Sequence, residues 1–220
     1  APGQWVASWP RTESNRDFNT MPRRFFAAAI AVIAGSTGAV HALCLVPRQL
    51  PPRIGVPITV TQHLPASFLP VFARQLALAS GREAVIASDR VRLEPDVICI
   101  APASGHLAFE RTADSVVARI DTGAARSGCT PSADPMYASL AECFGDRVLA
   151  IVLSGMGTDG AEGARALATA GASIVAQDED SSAVWGMPKA VARAGLASAI
   201  LGPARMAEAI AARVDASSWT

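Results

Sequence analysis

Lysine is almost missing from this chain: Lys189 is one of 19 basic residues, and the others are arginines. Chemistry that needs a lysine is thereby confined to one position. Tyr137 is the single tyrosine, so no Tyr-x-x-x-Lys reductase pair can be assembled. Aromatic residues make up 5% of the chain, too few for a platform on which single-stranded nucleic acid could stack. Net charge is lacking as well. The 19 acidic residues balance the 19 basic ones, so no overall field draws in nucleic acid or an anionic membrane. Cysteine and histidine are sparse: Cys44, Cys99, Cys129, Cys143 and His41, His63, His106 contain no Cys-x-x-Cys pair. A zinc cluster and a dense disulfide framework are not expected, and reduced thiols in a cytoplasmic protein are.

What the chain does have is apolar residues, half of its 220. That is enough to bury the core of one ordinary domain and argues against disorder. Residues 1–24 mix Trp5, Trp9, Pro10 and polar residues without periodicity and read as a tail, leaving 25–220 as the domain. One stretch imitates a targeting segment. Residues 25–46 carry no Asp, Glu, Lys or Arg, follow Arg23-Arg24, and end near a lipobox-like Leu43-Cys44. An apolar run this long could cross a membrane, but Gly35-Ser36-Thr37-Gly38 interrupts its centre. The favoured reading is a buried parallel strand, a glycine turn and a helix, with no membrane insertion.

The rest of the chain repeats that alternation. Strands are expected at 27–34, 56–61, 97–101, 148–153, 172–177 and 197–201, and a hairpin around Ser104-Gly105. Helices are expected at 38–50, 65–80, 134–144, 160–170, 188–194 and 203–214. Strands alternating with helices of this length specify an α/β fold, a single doubly wound domain with a mostly parallel sheet flanked by helices.

Open parallel sheets carry their sites just beyond the carboxyl ends of the strands. Three such ends hold Ser36, His63 and Asp159. Each has an ordinary explanation: Ser36 could cap the next helix, Asp159 and Glu162 have capping-box spacing, and His63 could be a plain loop histidine. Together they are a nucleophile, a base and a carboxylate on one sheet edge, the set that acyl transfer by a serine requires. His41, inside the following helix, and His106, near the hairpin, are weaker bases. Backbone N–H groups after Ser36 and in the 155–157 loop are placed to face an oxyanion. No clustered set of metal ligands is expected near these motifs, and no cofactor.

The same segments carry a family resemblance. Gly35-Ser36-Thr37-Gly38, Gln62-His63-Leu64-Pro65, Ile100-Ala101-Pro102 and Pro131-Ser132-Ala133-Asp134 occur in order. Gly155-Met156-Gly157-Thr158-Asp159-Gly160, and Gln177-Asp178-Glu179-Asp180-Ser181-Ser182 running into Gly186-Met187-Pro188, follow them. Spanning about residues 28–212, they resemble the catalytic domain of the chemotaxis receptor protein-glutamate methylesterases. The resemblance implies a triad of Ser36, His63 and Asp159, with the oxyanion site formed around Thr37 and Met156. It implies hydrolysis of glutamate γ-methyl esters on chemoreceptor helices to carboxylate and methanol, and some members deamidate glutamine. The family's serine motif usually reads Gly-Ala-Ser-Thr-Gly-Gly, from which Ala34, Gly35 and Ala39 depart, and Leu64 stands where methionine is usual. These changes put substrate preference and rate in question and keep open a catalytically impaired receptor-binding module. A receiver domain does not fit in the residues before 25, so phosphorylation control would come from a separate or parent protein.

A rival reading uses Gly155-x-Gly157-x-x-Gly160, which follows a strand, opens a helix and precedes a strand ending at Asp178. This satisfies the fingerprint of an NAD(P)-binding oxidoreductase. Against it, Asp159 would place a carboxylate in the loop meant to cradle a pyrophosphate.

Overall fold

The computed structural model describes residues 28–214; the expected tail at 1–24 lies outside them. Seven parallel strands form one sheet: β1 (Ile30–Gly35), β2 (Ile58–Gln62), β3 (Ala84–Ile86), β4 (Ile98–Ile100), β7 (Val148–Val152), β8 (Ser173–Gln177) and β9 (Ala199–Leu201). Their spatial order is β3-β4-β2-β1-β7-β8-β9, and every neighbouring pair is parallel. β5 (His106–Arg111) and β6 (Val116–Asp121) form a separate antiparallel hairpin.

The central strands are apolar on both faces because both faces are covered. All six residues of β1 and all five of β7 are buried, as strands with helices above and below must be. One face packs against α1 (Ala39–Arg48), α2 (Leu69–Ser80) and α6 (Pro203–Arg213), through Leu43, Val46, Phe72, Leu76 and Ile210. The other packs against α3 (Ala133–Phe144), α4 (Ala161–Thr169) and α5 (Met187–Arg193), through Met136, Tyr137, Leu140, Leu167 and Val191. The apolar stretch at 25–46 is therefore built, over its described part, as strand, turn and helix. Among the described residues no helix is long and apolar enough to cross a membrane.

Two details differ from expectation. The hairpin does not turn at Ser104-Gly105; its strands begin after Gly105, and its reversal lies at 112–115. There Ser115 N–H bonds the Thr112 hydroxyl (3.1 Å) and Thr112 N–H bonds the Ser115 carbonyl (2.8 Å). Gly105 is small for another reason: a Cβ there would come within 2.8 Å of the Asp121 carbonyl oxygen. The edge strand β3 was not foreseen. It is three half-exposed residues long and carries too little alternation to be read.

The chain winds outward from β1 through β2 to β3 and β4, then returns to β7 on the other side of β1. The β1–β7 boundary is thus the topological switch point, where the loops leaving adjacent strands diverge and open a crevice.

Candidate active site

Strand register brings the first two candidates together. Gly35 pairs with Gln62 across β1 and β2, so the next residues out of the ladder are Ser36 and His63. Hydrogen bonds continue the ladder into both loops. His63 N–H donates to the Gly35 carbonyl (3.2 Å), and the Gln62 side chain donates to the Ser36 carbonyl (2.9 Å). On the other flank, Ser36 N–H donates to the Ser154 carbonyl (3.0 Å). Ser36 therefore stands between the ends of β2 and β7, tied to both.

Asp159 reaches this point from the β7 loop. Its Oδ2 lies 2.8 Å from His63 Nε2 and accepts the Ala133 N–H at 2.8 Å. Its Oδ1 accepts the Ser132 hydroxyl. The carboxylate is buried, 1% exposed. Burial alone would push its carboxyl up. The hydrogen bonds from His63, Ser132 and the Ala133 N–H, with the histidine's charge, outweigh that and hold it below the usual carboxylate range. A buried, ionised aspartate fixing one ring nitrogen of a histidine is the arrangement by which a nucleophilic triad can orient its base. With Nε2 turned to Asp159, Nδ1 is the ring atom left for a proton. The Ser36 hydroxyl makes no hydrogen bond to another described residue, so the serine–histidine contact is not closed; such contacts commonly tighten only around substrate.

The ordinary explanations for these residues do not hold. Helix α1 is capped by Gly38 at φ 82° and α4 by Gly160 at φ 85°, neither through a side chain. Ser36 and Asp159 are thus released from capping, and Asp159 and Glu162 form no capping box. The dinucleotide reading fails on the same geometry. The loop meant to cradle phosphate turns its carboxylate onto His63, and Asp178 is engaged by the N–H and hydroxyl of Ser181 in its own turn.

Sequence reasoning gave no role to Ser132, although its motif was noted. Ser132 caps α3 by accepting the Asp134 N–H (3.2 Å) while donating to Asp159. Behind it stands buried His106, whose Nδ1 accepts the Ser132 N–H (2.9 Å) and whose Nε2 lies 2.8 Å from the Gly123 carbonyl. His106 is thus a brace for the loop before α3. His41 is exposed on α1.

The glycine loop after β7 is pinned just as firmly. The Ser154 hydroxyl donates to the Thr37 carbonyl (2.7 Å) and accepts the Val184 N–H (3.0 Å), and Ser154 N–H donates to the Gln177 side chain (2.8 Å). The Gly155 carbonyl takes the N–H groups of Gly186 (3.0 Å) and Met187 (2.8 Å). A Cβ on Gly155 would lie 2.8 Å from that of Ser36, so glycine is what allows the loop to lie against the serine. The single lysine takes no part: Lys189 sits over the Trp185 ring at 5.4 Å.

The altered serine motif has a steric logic. A Cβ built on Gly35 would collide with the Cβ of Ala39. Where the family motif has a methyl at the position before the serine and none three residues after it, this chain has the reverse, and the same small space is filled from the other side.

One grouping is not visible in the sequence. A ring nitrogen of His63, Cys129 Sγ and an Asp159 carboxylate oxygen lie within 4.8 Å of one another, a clustered ligand set where none was foreseen. The three residues are 30 or more positions apart, so no local spacing announces them. Burial first, and the Asp159 charge second, push the Cys129 thiol up, which keeps it a thiol rather than a competing thiolate.

Comparison with known proteins identifies the family. The family model described as CheB methylesterase matches residues 31–210. The chain is 38% identical over 193 residues to the protein-glutamate methylesterase/protein-glutamine glutaminase of group 2 operon from Bradyrhizobium diazoefficiens, covering 87% of this chain and 47% of that protein. It is 41% identical over 192 residues to the protein-glutamate methylesterase/protein-glutamine glutaminase of Maricaulis maris, covering 87% of this chain and 48% of that one. The chain thus spans about half the length of these curated relatives. The CheB methylesterase catalytic domain of Thermotoga maritima superposes with a TM-score of 0.81 at 30% identity, covering 84% of this chain and 97% of that one. The α/β sheet, the order of its strand-end motifs and these matches together place the chain in the CheB methylesterase family.

Proposed function

We propose that this chain hydrolyses glutamate γ-methyl esters on the cytoplasmic helices of chemoreceptors, releasing methanol, and deamidates glutamine by the same route. Ser36 attacks the ester carbonyl as His63 Nδ1 takes its proton, while Asp159 stabilises the imidazolium that forms. The same proton passes to the departing methoxide. Water, activated in turn by His63, then releases the glutamate from Ser36. The N–H groups of Thr37 and Met156 face the oxyanion in this reading; both residues are exposed beside Ser36, and neither N–H is spent on a turn or loop bond among the described residues. For glutamine the leaving group is ammonia. Regulation is assigned to a receiver domain in the parent chain or a separate protein, and the site of action to the cytoplasm.

The observation that carries the proposal is the His63–Asp159 pair held at the end of the strand ladder that positions Ser36. The test is methanol release from methylated receptor fragments, with fluorophosphonate labelling of Ser36. Ser36→Ala and His63→Ala should each nearly abolish release with the fold intact. Asp159→Asn should cost less, about 10²–10⁴-fold, since a poorly oriented base still works. The double variant Ser36→Ala/His63→Ala should be little worse than either single one. Full activity in Ser36→Ala would refute nucleophilic catalysis by that residue. Receptor binding without any methanol release would leave the impaired binding module instead.

A further inference from the structure

The cluster of His63, Cys129 and Asp159 offers one nitrogen, one sulfur and one oxygen donor within 4.8 Å of one another. Tetrahedral zinc with bonds of about 2.0–2.3 Å sets its ligand atoms roughly 3.3–3.8 Å apart, so closing the set requires a movement of about 1 Å at its widest edge. The mixed donors suit zinc; magnesium and calcium demand more oxygens than this site has.

Two features leave the cluster free to close. Cys129 is half-buried, and among the described residues its sulfur has one long contact, 3.9 Å to the Ser127 carbonyl, to give up. His63 is 18% exposed and Asp159 is 1% exposed, so the set opens to solvent on the histidine and cysteine side while its acid is anchored. Three protein ligands and one open position form the usual pattern of an accessible zinc site. The Ser132 hydroxyl and the Ala133 N–H already hold the carboxylate from behind, the kind of outer support that orients metal ligands.

We propose that His63, Cys129 and Asp159 bind a zinc ion that holds the hydrolase in a reversibly inhibited state. Binding forms N–Zn, S–Zn and O–Zn bonds, and the thiol proton passes to water. An imidazole whose lone pair is given to zinc, and whose bond to Asp159 is broken, cannot accept the serine proton. Zinc binding itself stands on the cluster's geometry; the inhibition rests on the triad reading.

The experiment uses the purified chain, stripped with a chelator and titrated with cobalt(II) as a spectroscopic stand-in for zinc. Wild type should show a thiolate-to-cobalt charge-transfer band that zinc displaces at one equivalent. Cys129→Ser and Cys129→Ala, each checked by its melting curve, should lack the band. Zinc should suppress ester hydrolysis by wild type and a chelator should restore it, whereas the Cys129 variants should hydrolyse normally and need about tenfold or more zinc for the same suppression. Absence of the band in wild type, its survival in both Cys129 variants, or equal zinc sensitivity would each overturn the proposal. If the stripped protein proves inactive, the triad reading falls, and the cobalt band still decides the metal site.

Discussion

The residues flanking Ser36 show how a departure from a motif can be read as packing. Gly35 is buried in the last position of β1, and Ala39, fully buried, opens α1. A methyl at 35 would collide with the methyl at 39 and lie 3.1 Å from the Gln62 Oε1. Gly35→Ala alone should therefore destabilise the fold by about 1–3 kcal/mol through overpacking. Ala39→Gly alone removes a buried methyl and lowers helix propensity, costing about 1–2 kcal/mol. Combined, the two changes restore the pattern usual in the family, and the double variant should be more stable than the sum of the single effects allows. Urea unfolding of the four proteins measures that coupling; strict additivity would mean that the two methyls do not compete for one space.

At the level of elements, the contact of α4 with α3 fixes where Asp159 stands. Gly163, in the first turn of α4, presses on α3: a Cβ there would lie 2.6 Å from the Tyr137 Cβ and 2.7 Å from the Asp134 carbonyl oxygen. Its N–H donates to the Asp134 carboxylate (2.8 Å). Alanine ordinarily strengthens a helix by about 1 kcal/mol over glycine. Here the obstacles are backbone and a Cβ that cannot swing away, so Gly163→Ala should lower the melting temperature and, by moving the α4 start, weaken hydrolysis. A raised melting temperature would show that the helices slide apart freely. The elements that build the site were legible in the sequence for a physical reason. β1 and β7 are covered on both faces and appear as apolar runs leading into the motif residues, while β2 is a β-branched run, Ile58-Thr59-Val60-Thr61, that ends at Gln62-His63. The support that Ser132 gives Asp159, and the nearness of Cys129 to the pair, were not legible, because His63 and Asp159 come from the β2 and β7 loops and only the folded topology brings them there. Gly105 misled because glycine marks a close approach to Asp121 as readily as it marks a turn.

Across the whole molecule, Asp159 joins three distant segments: the β7 loop that carries it, His63 after β2, and the start of α3 at Ser132 and Ala133. That makes the site's integrity part of the fold's dependence on pH. The Asp159 carboxyl is held below its ordinary range in the native state, whereas in the unfolded chain it titrates near the usual value of about 3.9. Between those two values the unfolded state binds more protons, so stability rises with pH across that window. The contribution is complete above the unfolded value and is lost as pH falls through the folded one. Asp134 works the other way: burial, with the Asp159 charge adding to it, pushes its carboxyl up against the pull of the Gly163 N–H, so its protonation in acid is favoured by folding. The pH profile of the wild type alone therefore mixes opposing contributions, and the difference between wild type and Asp159→Asn reports what the Asp159 charge contributes, its effect on Asp134 included. Urea unfolding should show wild type the more stable at neutral pH, by an amount that stays constant down to about pH 5 and shrinks below about pH 4. A difference that persists undiminished at pH 3 would mean that the carboxylate's hydrogen bonds do not favour its charged form, and the account of Asp159 as the ionised anchor of His63 would fail with it.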